Sequence, residues 1–413
     1  MANRSSSPPQ EGPATSPESL LSNRVFDRQI RLWGVESQRR LLSSHVLLVG
    51  LTSIHVELAK NLALSGVRVS LCDSRSVGEI DFAFNFLVKR EAEGQRVASA
   101  SLAGLRDMAP FVAFEELPES EFQRLLAFLG EEDALAKTQK GERAGEALHA
   151  VQLVARFTAI CVASEFYPLS SLPQSTLIRF PFGCVVSFFA GNAGSAGYPL
   201  STAKCCPSPL LTLARVPAPK SEKTQAGVSG EAKKGEDGED ESLPQHDMKE
   251  KAYPSLDEMM HCSLGKADRK VDPALLVYLT MQKWQADKEA KGEQERKDGT
   301  TSRTLPLPRY DSLPEDDDFA HFTKQELRQE GGPAAAAFEQ SPILIKTLPM
   351  MWGRQYTVTA AIVGGVLAQE LRKYITKEQE PIPNCLLFNA DSSTAAVASL
   401  PPSGVSVSVI KTP

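Results

Sequence analysis

The stretch His45-Val-Leu-Leu-Val-Gly-Leu-Thr-Ser-Ile-His-Val-Glu-Leu-Ala-Lys-Asn-Leu-Ala-Leu-Ser-Gly-Val-Arg-Val-Ser-Leu-Cys-Asp73 decides the fold. Its opening apolar run ends in glycine and reads as a buried parallel strand. Ser53 to Ser65 follows at helical spacing, with Ile54, Leu58 and Leu62 beside small Ala59 and Ala63. Gly66 stands where a C′ glycine ends a helix. Val67, Val69 and Leu71 then alternate into a second strand that finishes at Asp73. Strand, helix, strand and acid make the opening unit of a dinucleotide-type α/β fold.

Upstream, Phe26, Ile30, Trp33 and Leu41 recur at roughly helical spacing among many charges, which predicts an amphipathic helix or helix pair over Arg24 to Leu42. Downstream, a helix is expected from Arg96 to Met108, before Pro110, then a third strand at Phe111 to Phe114 and a fourth at Phe157 to Val162. Further strands are expected at Thr176 to Phe180 and Cys184 to Phe189, and a surface insertion over Glu131 to Ala147. Between Pro217 and Lys251 the larger aliphatic side chains are Val228, Leu243 and Met248 alone. So polar a segment cannot offset its ordering entropy and is predicted disordered.

A helix opened by Asp272 and Pro273, carrying Leu275 to Trp284, comes next, with a polar linker over Ala286 to Thr304. Thr323 and Glu326 suggest a capping box. Tyr356 to Ile375 is helical and apolar on most faces, with Gly364-Gly365 where a packing partner could approach closely. Asn384 to Asn389 and Val405 to Ile410 read as closing strands.

The 413 residues are 42% apolar and 23% charged, ordinary for a globular protein. A net charge of −6 argues against nucleic acid, whose phosphates need a basic surface. Met1 to Asn23 is Ser/Pro-rich without the apolar core of a signal peptide. The longest apolar stretch, Val358 to Ala368, is too short to span a bilayer. Cys72, Cys161, Cys184, Cys205, Cys206, Cys262 and Cys385 form no C-x-x-C pair, which fits reduced thiols. His45, His55, His149, His246, His261 and His321 show no metal-ligand spacing.

A glycine-rich turn after the first strand would bring backbone amides and a helix N-terminus onto phosphate. Here the loop is Gly50-Leu-Thr-Ser-Ile-His55, and Gly50 is its one glycine. Thr52, Ser53, Ile54 and His55 all carry Cβ atoms that crowd a phosphate. The loop reads as degenerate, and Asp73 as a helix cap or polar strand end in place of a ribose ligand.

Phe26-Asp-Arg-Gln-Ile-Arg-Leu-Trp-Gly34, Gln38 and Val46-Leu-Leu-Val-Gly-Leu51 closely resemble the start of the ThiF-like ubiquitin-like-protein activating enzymes. Ala59-Lys-Asn-Leu62, Ser65-Gly66-Val67, Phe86-Leu87 and Gly94-Gln-Arg-Val-Ala98 extend the match. Ala361-Ile-Val-Gly-Gly-Val-Leu-Ala-Gln-Glu370 resembles the last long helix of the family, and Leu387-Phe-Asn-Ala-Asp391 its closing strand. Length and the lack of an evident cysteine-bearing domain favour the small, Aos-type subunit of SUMO-activating enzymes over the regulatory subunit of the neddylation enzyme.

The resemblance implies an α/β, Rossmann-like (ThiF-type) doubly wound, mostly parallel sheet with a disordered internal insertion. The expected divisions are a tail over 1–22, the first part of the adenylation-type domain over 23–198, a low-complexity insertion over 199–270, a helical segment with linker over 271–330, and the domain's remainder over 331–413. It implies a heterodimer in which the large catalytic subunit binds ATP and magnesium, adenylates SUMO and carries the thiol that accepts it. This chain would bind no cofactor or metal, and contact neither nucleic acid nor membrane. Arg28 would reach across to the partner's ATP. From spacing alone, Arg28 pairs instead with Asp27 or Glu36 on the helix surface. The resemblance also implies a nuclear location, with the cytoplasm as a second compartment.

The sequence departs from active halves at Arg96, where they carry lysine, at Phe84-Asn-Phe-Leu87, where they carry an Asn-x-x-Arg-Gln string, and at Ala163-Ser164-Glu165, where they carry a metal-binding aspartate. A homodimeric sulfur-carrier adenylating enzyme or an NAD-dependent dehydrogenase would need the missing glycine loop. A non-catalytic scaffold would not need Arg28 in its full string. The heterodimer interface is expected on the apolar faces of the Arg24–Leu42 helix and of Phe82 to Val88.

Overall fold

The computed structural model describes residues 24–130, 153, 156–163, 182–187, 190–191, 205–206, 209–214, 249–252, 280, 283–284, 287, 321–326, 357–376, 379, 385–389, 394–398 and 406–409. A 3-10 turn at Arg24–Phe26 leads into α1 (Asp27–Ser43), β1 (His45–Val49), α2 (Ser53–Leu64), β2 (Arg68–Cys72), α3 (Glu79–Phe84), α4 (Val97–Met108), β3 (Phe114–Glu116), α5 (Glu119–Gly130) and β4 (Ala159–Ala163). β5 (Phe182–Ser187), β6 (Ala190–Gly191), β7 (Cys205–Cys206), β8 (Pro209–Ala214), β9 (Lys249–Ala252), α6 (Thr357–Thr376), β10 (Cys385–Asn389), β11 (Thr394–Ala398) and β12 (Ser406–Val409) follow.

The main sheet runs β11-β10-β8-β5-β4-β1-β2-β3. From β3 to β5 neighbouring strands are parallel. β8, β10 and β11 join antiparallel beyond β5. The order 3-2-1-4-5, reversing direction of growth between β1 and β4, is the Rossmann arrangement. The fold class is therefore as the sequence implied: α/β, Rossmann-like and mostly parallel in its central strands.

Both faces of the central strands are buried, so their sequences run continuously apolar. On one face, Val46, Leu48, Val69, Leu71, Ala159 and Cys161 join a single core with side chains of α2, α4 and α6. The alternate residues Leu47, Val49, Cys72, Ile160 and Val162 are equally buried but outside that core. α2, α4 and α6 share that core, whereas Phe122 and Leu125 of α5 are buried outside it, as expected where helices cover both faces. That is the doubly wound layout.

Local chemistry ends α2 cleanly. Gly66 adopts φ +87°, Val67 N–H donates to the Leu62 carbonyl at 3.1 Å and Gly66 N–H to that of Ala63 at 2.9 Å. This is the Schellman pattern, as the sequence predicts. A Cβ there would lie 2.6 Å from Leu42 Cδ2 and 3.0 Å from Phe26 Cζ. α6 packs across α2 at Gly364, where a Cβ would meet Ile54 O at 3.0 Å and Glu57 Cβ at 2.7 Å. A Cβ at Gly365, its neighbour, would meet nothing within 4 Å among the described residues.

The structure corrects several boundaries. The third strand is Phe114–Glu116, not Phe111–Phe114. Phe111 instead turns its ring edge onto Phe26, at 5.3 Å between centroids, and Phe114 is the first residue to pair with β2. Thr323 is inside the helical segment 321–326, buried, and is no cap. Ser406–Val409 pairs with Lys249–Ala252 in a separate ribbon, while Cys385–Asn389 joins the main sheet between β8 and Thr394–Ala398, the strand that forms its edge. Phe82 and Phe84 fall on α3, where helical geometry replaces the expected alternation.

Several expectations lie outside the described residues: the tail 1–22, the 131–147 insertion, the strand at 176–180, and Ser164 and Glu165. Of the helix expected from Asp272, positions 280, 283 and 284 are described, all helical, and of the 217–251 stretch positions 249–251, as part of β9.

Candidate functional site

The crevice beyond the carboxyl ends of β1 and β4, where strand order reverses, is where this fold binds its ligands. Gly50 to His55 leaves β1 at that point and turns into α2. Leu51, Thr52, Ser53, Ile54 and His55 are all buried. Thr52 is the N-cap, and its hydroxyl accepts the His55 N–H at 3.4 Å. One of the donors that a phosphate would use is thereby taken inside the loop.

His55 closes the loop on itself. Its Nδ1 lies 2.5 Å from the Gly50 carbonyl oxygen, so Nδ1 carries the proton and donates. Nε2 is then a bare acceptor, buried without a hydrogen-bond partner among the described residues. The ring is 0% exposed, and burial holds its pKa down to about 4 against pulls upward from the Gly50 carbonyl and Asp73.

Asp73, at the end of β2, is equally committed. One carboxylate oxygen accepts Leu51 N–H at 2.7 Å and Arg75 Nη2 at 2.7 Å. The other accepts Arg75 N–H and Nε, each at 3.1 Å. Arg75 Nη2 also reaches the Leu51 carbonyl at 3.2 Å. A two-pronged guanidinium thus occupies both oxygens of the acid and ties it to the loop. Sequence reasoning gave Asp73 a structural role and missed Arg75, whose position two residues on has no periodic signature.

The Gly94-Gln-Arg-Val-Ala98 string lies against this arrangement. Val97 N–H donates to the Arg75 carbonyl at 2.8 Å, Gly94 N–H to that of Val77 at 3.1 Å, and Val77 N–H to that of Gln95 at 2.8 Å. Arg96 points out to Glu116 on β3, 2.8 Å away.

Arg28 is remote from the loop in chemistry and partners. It sits exposed in the first turn of α1. Neither acid proposed for it from spacing is available: Asp27 pairs with Arg31 at 3.0 Å, and Glu36 with Arg39 at 2.5 Å and Arg40 at 3.2 Å. Arg28 makes no ion pair or hydrogen bond among the described residues. Leu32, one turn along, is 77% exposed, and Val25 and Val35 are exposed nearby. Phe86 is 51% exposed with Lys60 Nζ 5.4 Å from its ring centre.

Residues 26–140 match the ThiF family. SUMO-activating enzyme subunit 1 of Xenopus laevis is 41% identical over 114 residues, covering 27% of this chain and 33% of that protein. The human protein of the same name is 42% identical over 105 residues, covering 24% of this chain and 30% of its own length. The chain therefore spans about a third of the length of the curated relatives it matches. A crystal structure of E. coli MccB aligns over 92% of this chain and 71% of its own, with 10% identity and a TM-score of 0.44. Over residues 26–140 the chain is thus similar to the ThiF family, and through about a quarter of its length to SUMO-activating enzyme subunit 1.

Proposed function

We propose that this chain is the non-catalytic, small subunit of a heterodimeric SUMO-activating enzyme, supporting chemistry carried out on its larger partner. The observation that carries the reading is the closed loop: inside a ThiF-family domain, Gly50 to His55 is buried and Asp73 is bound by Arg75 and Leu51. These residues do not fit a nucleotide, because the groups that would hold phosphate and ribose are engaged with one another.

In the proposed reaction the C-terminal carboxylate of SUMO attacks the α-phosphorus of ATP on the partner. The bond to pyrophosphate breaks, and an acyl adenylate remains. The partner's thiolate then takes the acyl group and AMP leaves. Magnesium on the partner would neutralise phosphate charge. What this chain supplies is Arg28, an exposed guanidinium whose neighbouring acids are occupied, reaching across to stabilise charge on the phosphates. The exposed Val25, Leu32, Val35 and Phe86 support an interface on α1 and the Phe82–Val88 segment. The relatives' printed name supports SUMO over the neddylation modifier.

ATP–pyrophosphate exchange with SUMO tests the proposal, using this chain, the large subunit, and the mixture. Activity in the mixture alone, reduced on the order of a hundredfold by Arg28→Ala, is expected. Exchange by this chain alone would overturn the non-catalytic reading, and exchange with the neddylation modifier in place of SUMO would move the assignment to that pathway.

A further inference from the structure

Arg28 stands on a helix that is fastened at unusual points. Phe26, just before it, is fully buried against Phe111 and beneath Gly66. Gln29, just after it, donates through Nε2 to the Leu64 carbonyl at 3.0 Å. Trp33 Nε1 donates to Gln38 Oε1 at 2.9 Å, and Gln38 Nε2 donates to the Ser65 carbonyl at 3.0 Å. Two glutamine amides on α1 therefore take carbonyls at the C-terminal end of α2, where intrahelical donors run out. On the far side Arg372 of α6 lies over the Trp33 ring at 5.2 Å.

Gly34 interrupts α1 with φ +83° and ψ +163°, a conformation that only glycine adopts without strain. A Cβ at Gly34 would meet nothing within 4 Å among the described residues, so backbone shape is what requires the glycine there. The break turns one helix into two short pieces that can each be docked separately. The first piece carries Arg28, and Gln29 is its direct tie to α2. Gln29 is not used elsewhere: its Oε1 is buried without a hydrogen-bond partner among the described residues.

We infer that Gln29 is a positioning residue, which acts through Arg28 by fixing the first turns of α1 on the carbonyl end of α2, with Trp33 and Gln38 completing the clasp. The inference rests on the proposed in-trans role of Arg28. A long, exposed arginine without local partners reaches a phosphate reproducibly only from a rigid mount, and small misplacements at a reacting centre cost rate steeply. Leu32 shares the Arg28 face one turn along, so the clasp orients the guanidinium and the apolar contact surface as one unit.

The test is a double-mutant cycle on ATP–pyrophosphate exchange by the assembled pair. Gln29→Glu keeps the side-chain length but cannot donate to the Leu64 carbonyl, and Gln29→Ala removes the amide without adding charge there. Each is expected to lower the maximal exchange rate roughly tenfold, with the KM for SUMO and the thermal midpoint of the pair nearly unchanged. In the Arg28→Ala background neither should lower the rate further, because the group being positioned is gone. Equal losses in both backgrounds, or none in either, overturn the positioning role while leaving the reading of Arg28 intact. An Arg28→Ala pair as active as wild type overturns both.

Discussion

Gly364 and Gly365 are adjacent on α6, yet the structure assigns opposite signs to the same substitution. Replacing a mid-helix glycine by alanine stabilises a helix by about 1 kcal/mol where the methyl is accommodated. At Gly365 nothing among the described residues stands within 4 Å of the new Cβ, so Gly365→Ala should gain that amount. At Gly364 the Cβ would lie 2.7 Å from Glu57 Cβ, 3.0 Å from Ile54 O and 3.3 Å from Leu58 N. Two of these three neighbours are backbone atoms of α2, which cannot rotate away. The helices must part, loosening Val363 and Leu367 from Ile54 and Leu58 in the shared core. Such overpacking costs about 1–3 kcal/mol, which offsets the helix gain and makes Gly364→Ala net destabilising. Urea unfolding of the two variants and wild type should put the midpoints in the order Gly365→Ala, wild type, Gly364→Ala, with unchanged slopes. Equal midpoints for the two variants would refute the close approach of α6 to α2.

Arg75→Ala leaves the buried Asp73 carboxylate without its guanidinium and should cost about 3 kcal/mol. Adding ATP should still leave the variant's melting temperature unmoved; a rise would mean that Arg75 alone was blocking a competent site. His45 and His55 are held neutral by burial, each down to about 4 from an ordinary 6.5. Between those values the unfolded chain binds protons that the folded one refuses, so stability is full above pH 6.5 and lost as pH falls toward 4. Each histidine contributes a slope of up to about 1.4 kcal/mol per pH unit in that window. Denaturant midpoints from pH 7.5 to 5 check this, and a His55→Gln variant whose slope matches wild type would contradict it. Leu32→Glu and Phe86→Glu should weaken association with the proposed large subunit at least tenfold by sedimentation, without changing this chain's own melting; unaltered association would remove α1 and the Phe82–Val88 segment from the proposed interface.

What the sequence revealed and what it hid divide by the range of the physics involved. β1, α2 and β2 were legible because burial on both faces, helical spacing and a left-handed glycine leave marks within a few residues. The fourth strand and the last long helix were legible for the same reason. The third strand was misplaced because Phe111 and Val112 look like strand residues, whereas the turn uses Phe111 to reach Phe26. The loop's loss of glycines was visible at once, but not what fills the gap. Arg75 closing over Asp73, and His55 turning back on Gly50, are tertiary hydrogen bonds with no period to detect. The in-string roles of Gln29 and Gln38 were hidden likewise, since their acceptors Leu64 and Ser65 belong to another helix.

The seat of α6 on α2 also sets a clock for biosynthesis. Ile54 and Gly364 are 310 positions apart in the chain (364 − 54). At about 5–20 residues per second, roughly 15–60 s of translation separate the two halves of that contact. For all of that time the nascent domain carries the face of α2 that Ala360, Val363 and Leu367 will later cover. A ribosome-bound chain thus waits with an unfinished hydrophobic surface until α6 is made.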